Sequence, residues 1–184
     1  MSHIEPVIRA ARESDADPIA KLHAESWRTS ARGIMSDRYL NDDVYDDRRQ
    51  VWRTRLSDPD SGYLTLVAVQ RDGLHGFICF RLDGDDSWGT LLDNLHVDPE
   101  LCGRGMGESL MRVGVSQVEQ LRPGRPLHLL VFEANPRAQR FYERLGGRRV
   151  ETVTMHLPEG NRAAPAFRYV WDAPVTLQPW PRRD

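Results

Sequence analysis

The sequence holds few of the residues that build disulfide frameworks, metal sites or nucleic-acid-binding surfaces. Of its 184 residues only Cys79 and Cys102 are cysteines, which is too few for a disulfide framework, and no Cys/His spacing suggests a zinc site. The 25 basic and 27 acidic residues give a formal net charge of −2, whereas nucleic-acid binders usually carry a basic excess. We therefore expect no metal ion and no nucleic-acid partner.

Long hydrophobic runs are also missing. No stretch approaches the roughly 18 consecutive apolar residues of a membrane span, and the first residues contain no apolar run of signal-peptide length. The hydrophobic share of 40% and the charged share of 28% are ordinary for a soluble globular protein. The sequence thus predicts a reduced, cytoplasmic protein without a membrane partner. It predicts a single domain over residues 1–173 and an irregular, proline-rich tail over residues 174–184.

The hydrophobic period changes several times along the chain, which favours a mixed fold. A short alternating strand over residues 6–11 precedes two helical stretches; Asp17 should cap the first, with Pro18 at its first position. The second stretch runs from Ser36 to Leu56. Three strands with short connections follow, then a helix, a strand, a helix and a closing hairpin. This order predicts an α+β fold, with a mixed, mostly antiparallel sheet of about seven strands flanked by about four helices.

Three glycines at alternate positions precede a helical pattern in the stretch DPELCGRGMGE (98–108). Bare glycines allow backbone N–H groups to converge, and the start of a helix adds partial positive charge, so a phosphate or pyrophosphate is a natural ligand. A tight turn built for close packing is an equally good interpretation of the loop alone. The loop lacks the lysine of a P-loop and the G-x-G-x-x-G spacing of a dinucleotide fingerprint.

Two stretches together resemble the GNAT superfamily of acetyl-coenzyme A-dependent N-acetyltransferases. LDNLHVDPELCGRGMGESLM (92–111) is similar to that family's coenzyme A pyrophosphate signature, although Cys102 stands where the family usually has Gln or Arg. NPRAQRFYERLGG (135–147) is similar to its Asn-x-x-Ala-x-x-Phe-Tyr-x-x-Leu-Gly helix. The order of elements matches the family over about residues 5–172. SWRTSARGIMSDRYL is similar to the N-terminal acceptor region of a bacterial subgroup.

The resemblance implies that acetyl-coenzyme A is the co-substrate and that an amine, on a small molecule or a peptide, attacks its thioester directly. Strand 88–97 should separate from its neighbour and offer main-chain groups to the pantetheine arm, with the Val97 N–H as the oxyanion donor. Backbone N–H groups of residues 103–108 should hold the pyrophosphate despite Cys102. The expected coenzyme-binding residues are Leu95, His96, Val97, Gly103, Arg104, Gly105, Met106, Gly107, Glu108, Asn135 and Tyr142.

The same resemblance assigns the chemistry to two side chains. Tyr142 matches the family tyrosine that acts as general acid near the sulfur, although a buried core tyrosine is an alternative. Leu91 aligns with the strand glutamate of many relatives. Asp93 follows on the same strand face as Leu91 and Leu95 by alternation, and it is the expected base, directly or through water. A solvated strand aspartate is an equally good interpretation. His96 should point to the opposite face and is more typical of a packed histidine.

The acceptor pocket is expected to involve the first two helices and the late hairpin. Trp27, Arg32 and Tyr39 are its candidate residues, and each suits a packing role equally well. The acidic run Asp42–Asp47 is more typical of a solvated helix face than of a field that attracts a cationic amine. Relatives of this family often pair, so a homodimer with Trp180 at the contact is a further expectation. An alternative function is a catalytically silent acyl-coenzyme A-binding module that acts as a sensor or interaction protein.

Overall fold

A computed structural model describes residues 6–173 and 175–179 of the chain. Within these residues the strands are β1 (Val7–Ala10), β2 (Tyr63–Gln70), β3 (Gly73–Asp85), β4 (Gly89–Val97), β5 (Leu127–Phe132), β6 (Arg148–His156) and β7 (Ala163–Trp171). The α-helices are α1 (Ala16–Ser30), α2 (Val44–Ser57), α3 (Met106–Leu121) and α4 (Pro136–Arg144). The predicted α+β architecture of seven strands and four helices is confirmed.

The strands form one sheet in the order β1-β2-β3-β4-β5-β7-β6. All neighbouring pairs are antiparallel except β4 and β5, which run parallel. That parallel pairing covers only Thr90 opposite Leu127 and Leu91 opposite His128. The two strands therefore separate beyond Leu91, as predicted, and the sheet opens at its centre.

The helices cover the two faces of this sheet. On one face α1 and α2 pack against β2 and β3, with Ile19, Trp52, Val67 and Phe77 fully buried. On the other face α3 and α4 close a larger core. Its fully buried members are Leu66, Ala68, Ile78, Phe80, Leu110, Met111, Leu127, Leu145 and Tyr169. Apolar residues are thus buried on both faces of the sheet. The opening between β4 and β5 lies between the layer of α1 and α2 and the layer of α3 and α4.

Two predicted helix starts differ in the structure. The expectation that Asp17 caps α1 is wrong, because α1 begins at Ala16 and Asp17 lies in its first turn. There its carboxylate accepts hydrogen bonds from Arg53 of α2 at 2.7 and 2.8 Å, which ties the two helices together. The second predicted helix is interrupted by a π-helical turn at Tyr39–Asp43 before α2 starts. Asn135 caps α4, since its side-chain oxygen accepts from the Ala138 N–H at 3.1 Å.

Part of the predicted tail packs against the domain. The Gln178 N–H donates to the Leu145 carbonyl at 3.0 Å, and the Gln178 carbonyl accepts from Arg112 at 2.7 Å. Trp180, which we expected at a dimer contact, lies outside the described residues. No helix in the described part of the chain has both the length and the apolar character needed to cross a membrane.

The packing of α3 on the sheet generates a stability prediction. A Cβ on Gly114 would lie 2.5 Å from Cε2 of the fully buried Phe80, so Gly114→Ala should destabilise the fold by about 1–3 kcal/mol despite alanine's better helix propensity. Gly107→Ala is the matched control on the same helix, since its Cβ would lie 3.5 Å from Phe141, an ordinary contact. Urea denaturation measures both, and a Gly114→Ala protein as stable as Gly107→Ala would contradict this packing.

Candidate active site

A cavity of about 450 Å³ occupies the opening between β4 and β5. The β4 residues Leu91 to His96 form one wall. Asn135, Ala138 and Tyr142 line it from α4 and its cap. His23, Trp27, Arg48 and Arg55 line it from α1 and α2. The cavity therefore joins the predicted coenzyme side and the predicted acceptor side of the fold.

A β-bulge in β4 changes the direction of Asp93. Cys79 pairs with Asn94 and the next residue, Phe80, pairs with Leu92, so Asp93 has no partner on β3. Leu95 packs into the core beneath α3, whereas the Asp93 carboxylate accepts from Arg55 of α2 at 2.7 Å. The expectation that Asp93 shares a face with Leu95 is therefore wrong, because one extra residue reverses the alternation.

The hydrogen-bond ladder between β3 and β4 fixes the direction of the β4 main chain. The Asp98 N–H donates to the His75 carbonyl of β3 at 2.8 Å. In an antiparallel pair successive residues alternate between facing the partner and facing away, so Leu95 and Val97 direct their N–H and C=O groups toward the opening. The main chain of His96 faces β3 instead, which corrects its expected main-chain contact with the coenzyme. His96 still lines the cavity, and its ring lies 4.4 Å from that of His23.

The glycine loop lies beyond the end of β4, outside the cavity lining. Gly103 and Gly105 have φ angles of 83° and 88°, a left-handed conformation that favours glycine. Gly105 precedes α3 without a side-chain cap, so the first N–H groups of that helix have no intrahelical partner. Cys102 Sγ lies 3.8 Å from the Val97 carbonyl oxygen, which places the loop directly against the end of β4.

Other side chains of this loop have partners of their own. Met106 is buried in the core beneath α3, and Glu108 forms an ion pair with Arg112 at 2.8 Å. Arg104 is exposed, and its N–H lies 3.4 Å from the Leu101 carbonyl oxygen, a long hydrogen bond. The main chain of residues 103–108, rather than these side chains, is thus the part of the loop with unused donors.

Tyr142 lies on the inner face of α4, in contact with both the core and the cavity. Its ring packs edge-on against Phe141 and Trp171. Burial raises the pKa of its phenol above the ordinary value, so the hydroxyl stays protonated at neutral pH. The structure records no side-chain hydrogen bond from this hydroxyl to the described residues. It is thus a protonated donor on a residue that lines the cavity.

Two histidines form part of the acceptor-side wall. The rings of His23 and His96 lie 4.4 Å apart, and the Nε1–H of buried Trp52 donates to His23 Nδ1 at 3.0 Å. Burial lowers the pKa of His23 well below its ordinary value, with smaller effects from His96 and Arg48. Burial and Arg48 lower the pKa of His96 to about 4. Both rings are therefore neutral at pH 7.

Arg48 completes this wall. Its guanidinium lies 4.6 Å from the centre of the Trp27 ring and bonds to Asp47 at 2.9 Å through one terminal nitrogen. Asp47 also accepts from the Tyr39 hydroxyl, which holds the carboxylate behind Arg48. Tyr39 is buried but does not line the cavity. Arg32 is exposed, pairs with Asp37 at 2.9 Å and does not line it either.

The structure adds three charged or polar groups to the predicted site, namely His23, Arg48 and Arg55. The sequence carries a signal for them that we did not use. Arg48 and Arg55 lie four residues before and three after Trp52, so all three share one helix face, and His23 stands four residues before Trp27. A tryptophan between two arginines at helical spacing indicates a face that is both apolar and charged.

Comparisons with known proteins bear on the family and on the fold. Residues 16–147 match the model of the acetyltransferase (GNAT) family. The PaiA N-acetyltransferase of Thermoplasma acidophilum, solved with coenzyme A, has 20% identity and a TM-score of 0.74 over 92% of this chain and 99% of its own. A GCN5-related N-acetyltransferase of Rhodopseudomonas palustris has 21% identity and a TM-score of 0.71 over 94% of this chain and 98% of its own.

A plant structure shares the same fold. Arabidopsis thaliana NAA60, solved with a bisubstrate analogue, has 17% identity and a TM-score of 0.67 over 93% of this chain and 99% of its own. The curated proteins contain no match to the sequence. The family model covers well over half of the chain and includes β4, the glycine loop and α4. The chain therefore belongs to the GNAT acetyltransferase family.

Proposed function

We propose that this protein transfers an acetyl group from acetyl-coenzyme A to a primary amine, while both substrates occupy the cavity. One observation carries the proposal. A single cavity is lined on one side by the opened edge of β4, Asn135 and Tyr142, and on the other by Trp27 and Asp93. A thioester and an amine can therefore meet there without a covalent enzyme intermediate.

The coenzyme side of the site is built largely from backbone. The unpartnered N–H groups at the start of α3, together with the helix dipole, suit the pyrophosphate, and they need no side chain at Cys102. The outward N–H and C=O groups of Leu95 suit an amide group of the pantetheine arm. At Val97 the carbonyl already accepts from Cys102 Sγ at 3.8 Å, which leaves the Val97 N–H as the available donor. Asn135 uses its side-chain oxygen to cap α4, which leaves its amide N–H groups as donors. Acetyl-coenzyme A is thus the proposed co-substrate.

The reaction needs three functions from the chain. Asp93, oriented by Arg55, takes a proton from the ammonium group of the acceptor, directly or through water, so that the neutral amine can attack the thioester carbon. The Val97 N–H donates to the oxygen that becomes negative as the C–N bond forms. The C–S bond then breaks, and Tyr142 gives its proton to the departing sulfur. The products are the acetylated amine and coenzyme A.

Tyr142→Phe tests the acid step. We expect kcat for thiol release to fall by roughly 10²-fold or more, which is typical of losing a general acid, with little change in coenzyme affinity. Stability should change little, because the hydroxyl has no recorded hydrogen-bond partner among the described residues. Tyr169→Phe is the matched control, since its hydroxyl bonds to Glu143 at 2.8 Å away from the cavity and its loss should leave kcat intact.

The measurement is thiol release from acetyl-coenzyme A over a panel of amines and peptides. An unchanged kcat in Tyr142→Phe would contradict the acid role. If coenzyme A raises the melting temperature but no acceptor gives turnover, the silent acyl-coenzyme A-binding module is the better account. If coenzyme A does not shift the melting temperature, both accounts fail.

Gly105→Ala tests the loop. A Cβ at a φ of 88° strains the turn and displaces the N–H groups that hold the pyrophosphate, so coenzyme affinity should fall at least tenfold. Gly124→Ala is the matched control, because Gly124 has a φ of 70° in the turn between α3 and β5, away from the loop. It should lose similar stability and keep its affinity. Calorimetric titration with coenzyme A measures both, and equal affinities would reject this pyrophosphate site.

A further inference from the structure

Two buried donors in the acceptor-side wall have no hydrogen-bond partner among the described residues. Only three buried side-chain polar atoms in the described part of the chain lack a hydrogen-bond partner, and two of them are His23 Nε2 and Arg48 Nε. Both residues line the cavity. Since a buried N–H without an acceptor is costly, two of them on residues that line one cavity indicate a ligand group that accepts hydrogen bonds.

The protonation of His23 follows from its neighbour. The indole N–H of Trp52 is a donor only, so His23 Nδ1, which receives it at 3.0 Å, must be the unprotonated nitrogen of the neutral ring. The proton therefore lies on Nε2, which makes this atom a donor and unsuited to take a proton from the amine. His23 is thus a binding group and not an alternative base to Asp93.

The chemistry of Arg48 favours a negatively charged acceptor group. Only 12% of its side chain is exposed, so the guanidinium is largely removed from water. Asp47 binds one terminal nitrogen, and Trp27 covers the planar face, which leaves the Nε edge without a partner. A guanidinium edge matches a carboxylate in shape and charge, and charge-assisted hydrogen bonds are stronger than neutral ones.

The remaining charges of the cavity agree with this assignment. Asp93 is the only acidic side chain in the described lining, and it is already paired with Arg55. Arg48 also lines the cavity, and its positive charge contributes to the low pKa values of His23 and His96. Buried Met35 and Leu157 add apolar surface on the same side as Trp27. A polycationic amine would find little to bind there.

We propose that the acceptor is an amine that also carries a carboxylate on an apolar body, as an apolar amino acid does, and that Arg48 and His23 bind that carboxylate. The carboxylate oxygens would receive the Arg48 Nε–H and the His23 Nε2–H, which satisfies both buried donors at once. The apolar body would lie against Trp27. This assignment rests on the proposed acetyl transfer and names its substrate class.

Matched acceptors test the proposal in the wild-type protein. Two series are compared: leucine, leucinamide and 3-methylbutylamine, and phenylalanine, phenylalaninamide and 2-phenylethylamine. The readout is kcat/KM for thiol release, corrected for the fraction of neutral amine. We expect each acid to exceed its decarboxylated amine by roughly tenfold to a hundredfold. An amine that reacts as well as the acid would overturn the proposal and leave acetyl transfer intact. If the amide has the same kcat/KM as the acid, Arg48 and His23 bind a neutral carbonyl oxygen, and the carboxylate proposal is overturned as well.

Arg48→Gln should bring the ratio of acid to amine close to one. Arg49→Gln is the matched control on the same helix, because Arg49 pairs with Asp17 and does not line the cavity, and it should keep the wild-type ratio. An unchanged ratio in a folded Arg48→Gln protein would overturn the role of Arg48. If that variant does not fold, the wild-type series decides.

A binding measurement separates this proposal from the proposed activity. N-acetylleucine and N-(3-methylbutyl)acetamide are added to the wild-type protein saturated with coenzyme A, and the melting temperature is recorded. If no acceptor gives turnover, acetyl transfer fails, yet a larger shift with the acid would still support the carboxylate site. Equal shifts would overturn the carboxylate site whatever the turnover.

Discussion

The early end of pairing between β4 and β5 is the constraint on which the site depends. The two strands share only two residue pairs, and beyond Leu91 no strand of the described residues pairs with the β4 backbone on that side. Backbone polar groups without partners are normally avoided inside a fold. Leu95 directs its N–H and C=O groups into the opening, and Val97 its N–H, whereas the Val97 carbonyl accepts from Cys102 Sγ; a ligand with amide groups of its own can therefore continue the sheet at this point. The pantetheine arm of coenzyme A has that chemistry.

The cavity, the glycine loop and the bulge at Asp93 are all arranged around the opening between β4 and β5. α1 and α2 close one face and α3 and α4 the other, so the gap between the strands becomes a cavity with two different sides. The glycine loop follows β4 directly and brings the start of α3 to the end of the opened edge. The bulge at Asp93 turns its carboxylate toward α2, where Arg55 holds it. In the proposed function, backbone geometry therefore sets where the coenzyme binds, and side chains of α1 and α2 select the amine that reacts with it.

Much of the fold could be predicted from the sequence, because the sequence patterns that indicate helices and strands are local. The changes of hydrophobic period along the chain predicted about seven strands, about four helices and their order. The direction of the Asp93 side chain could not be predicted, because a bulge depends on the register between β3 and β4 rather than on the residues of β4 alone. Arg48 and His23 were not predicted, because their unpartnered donors appear only when two helices and a strand are brought together. Arg32 and Tyr39 were chosen from a local resemblance, and tertiary packing places both outside the cavity lining.

A crystal structure with bound coenzyme A tests the central claim most directly. The account predicts the pantetheine arm between β4 and β5, with an amide group bonded to the main chain of Leu95 and its pyrophosphate on the N–H groups of residues 103–108. The sulfur should lie beside the Tyr142 hydroxyl. Coenzyme bound elsewhere, or an arm that leaves the β4 edge unpartnered, would contradict it.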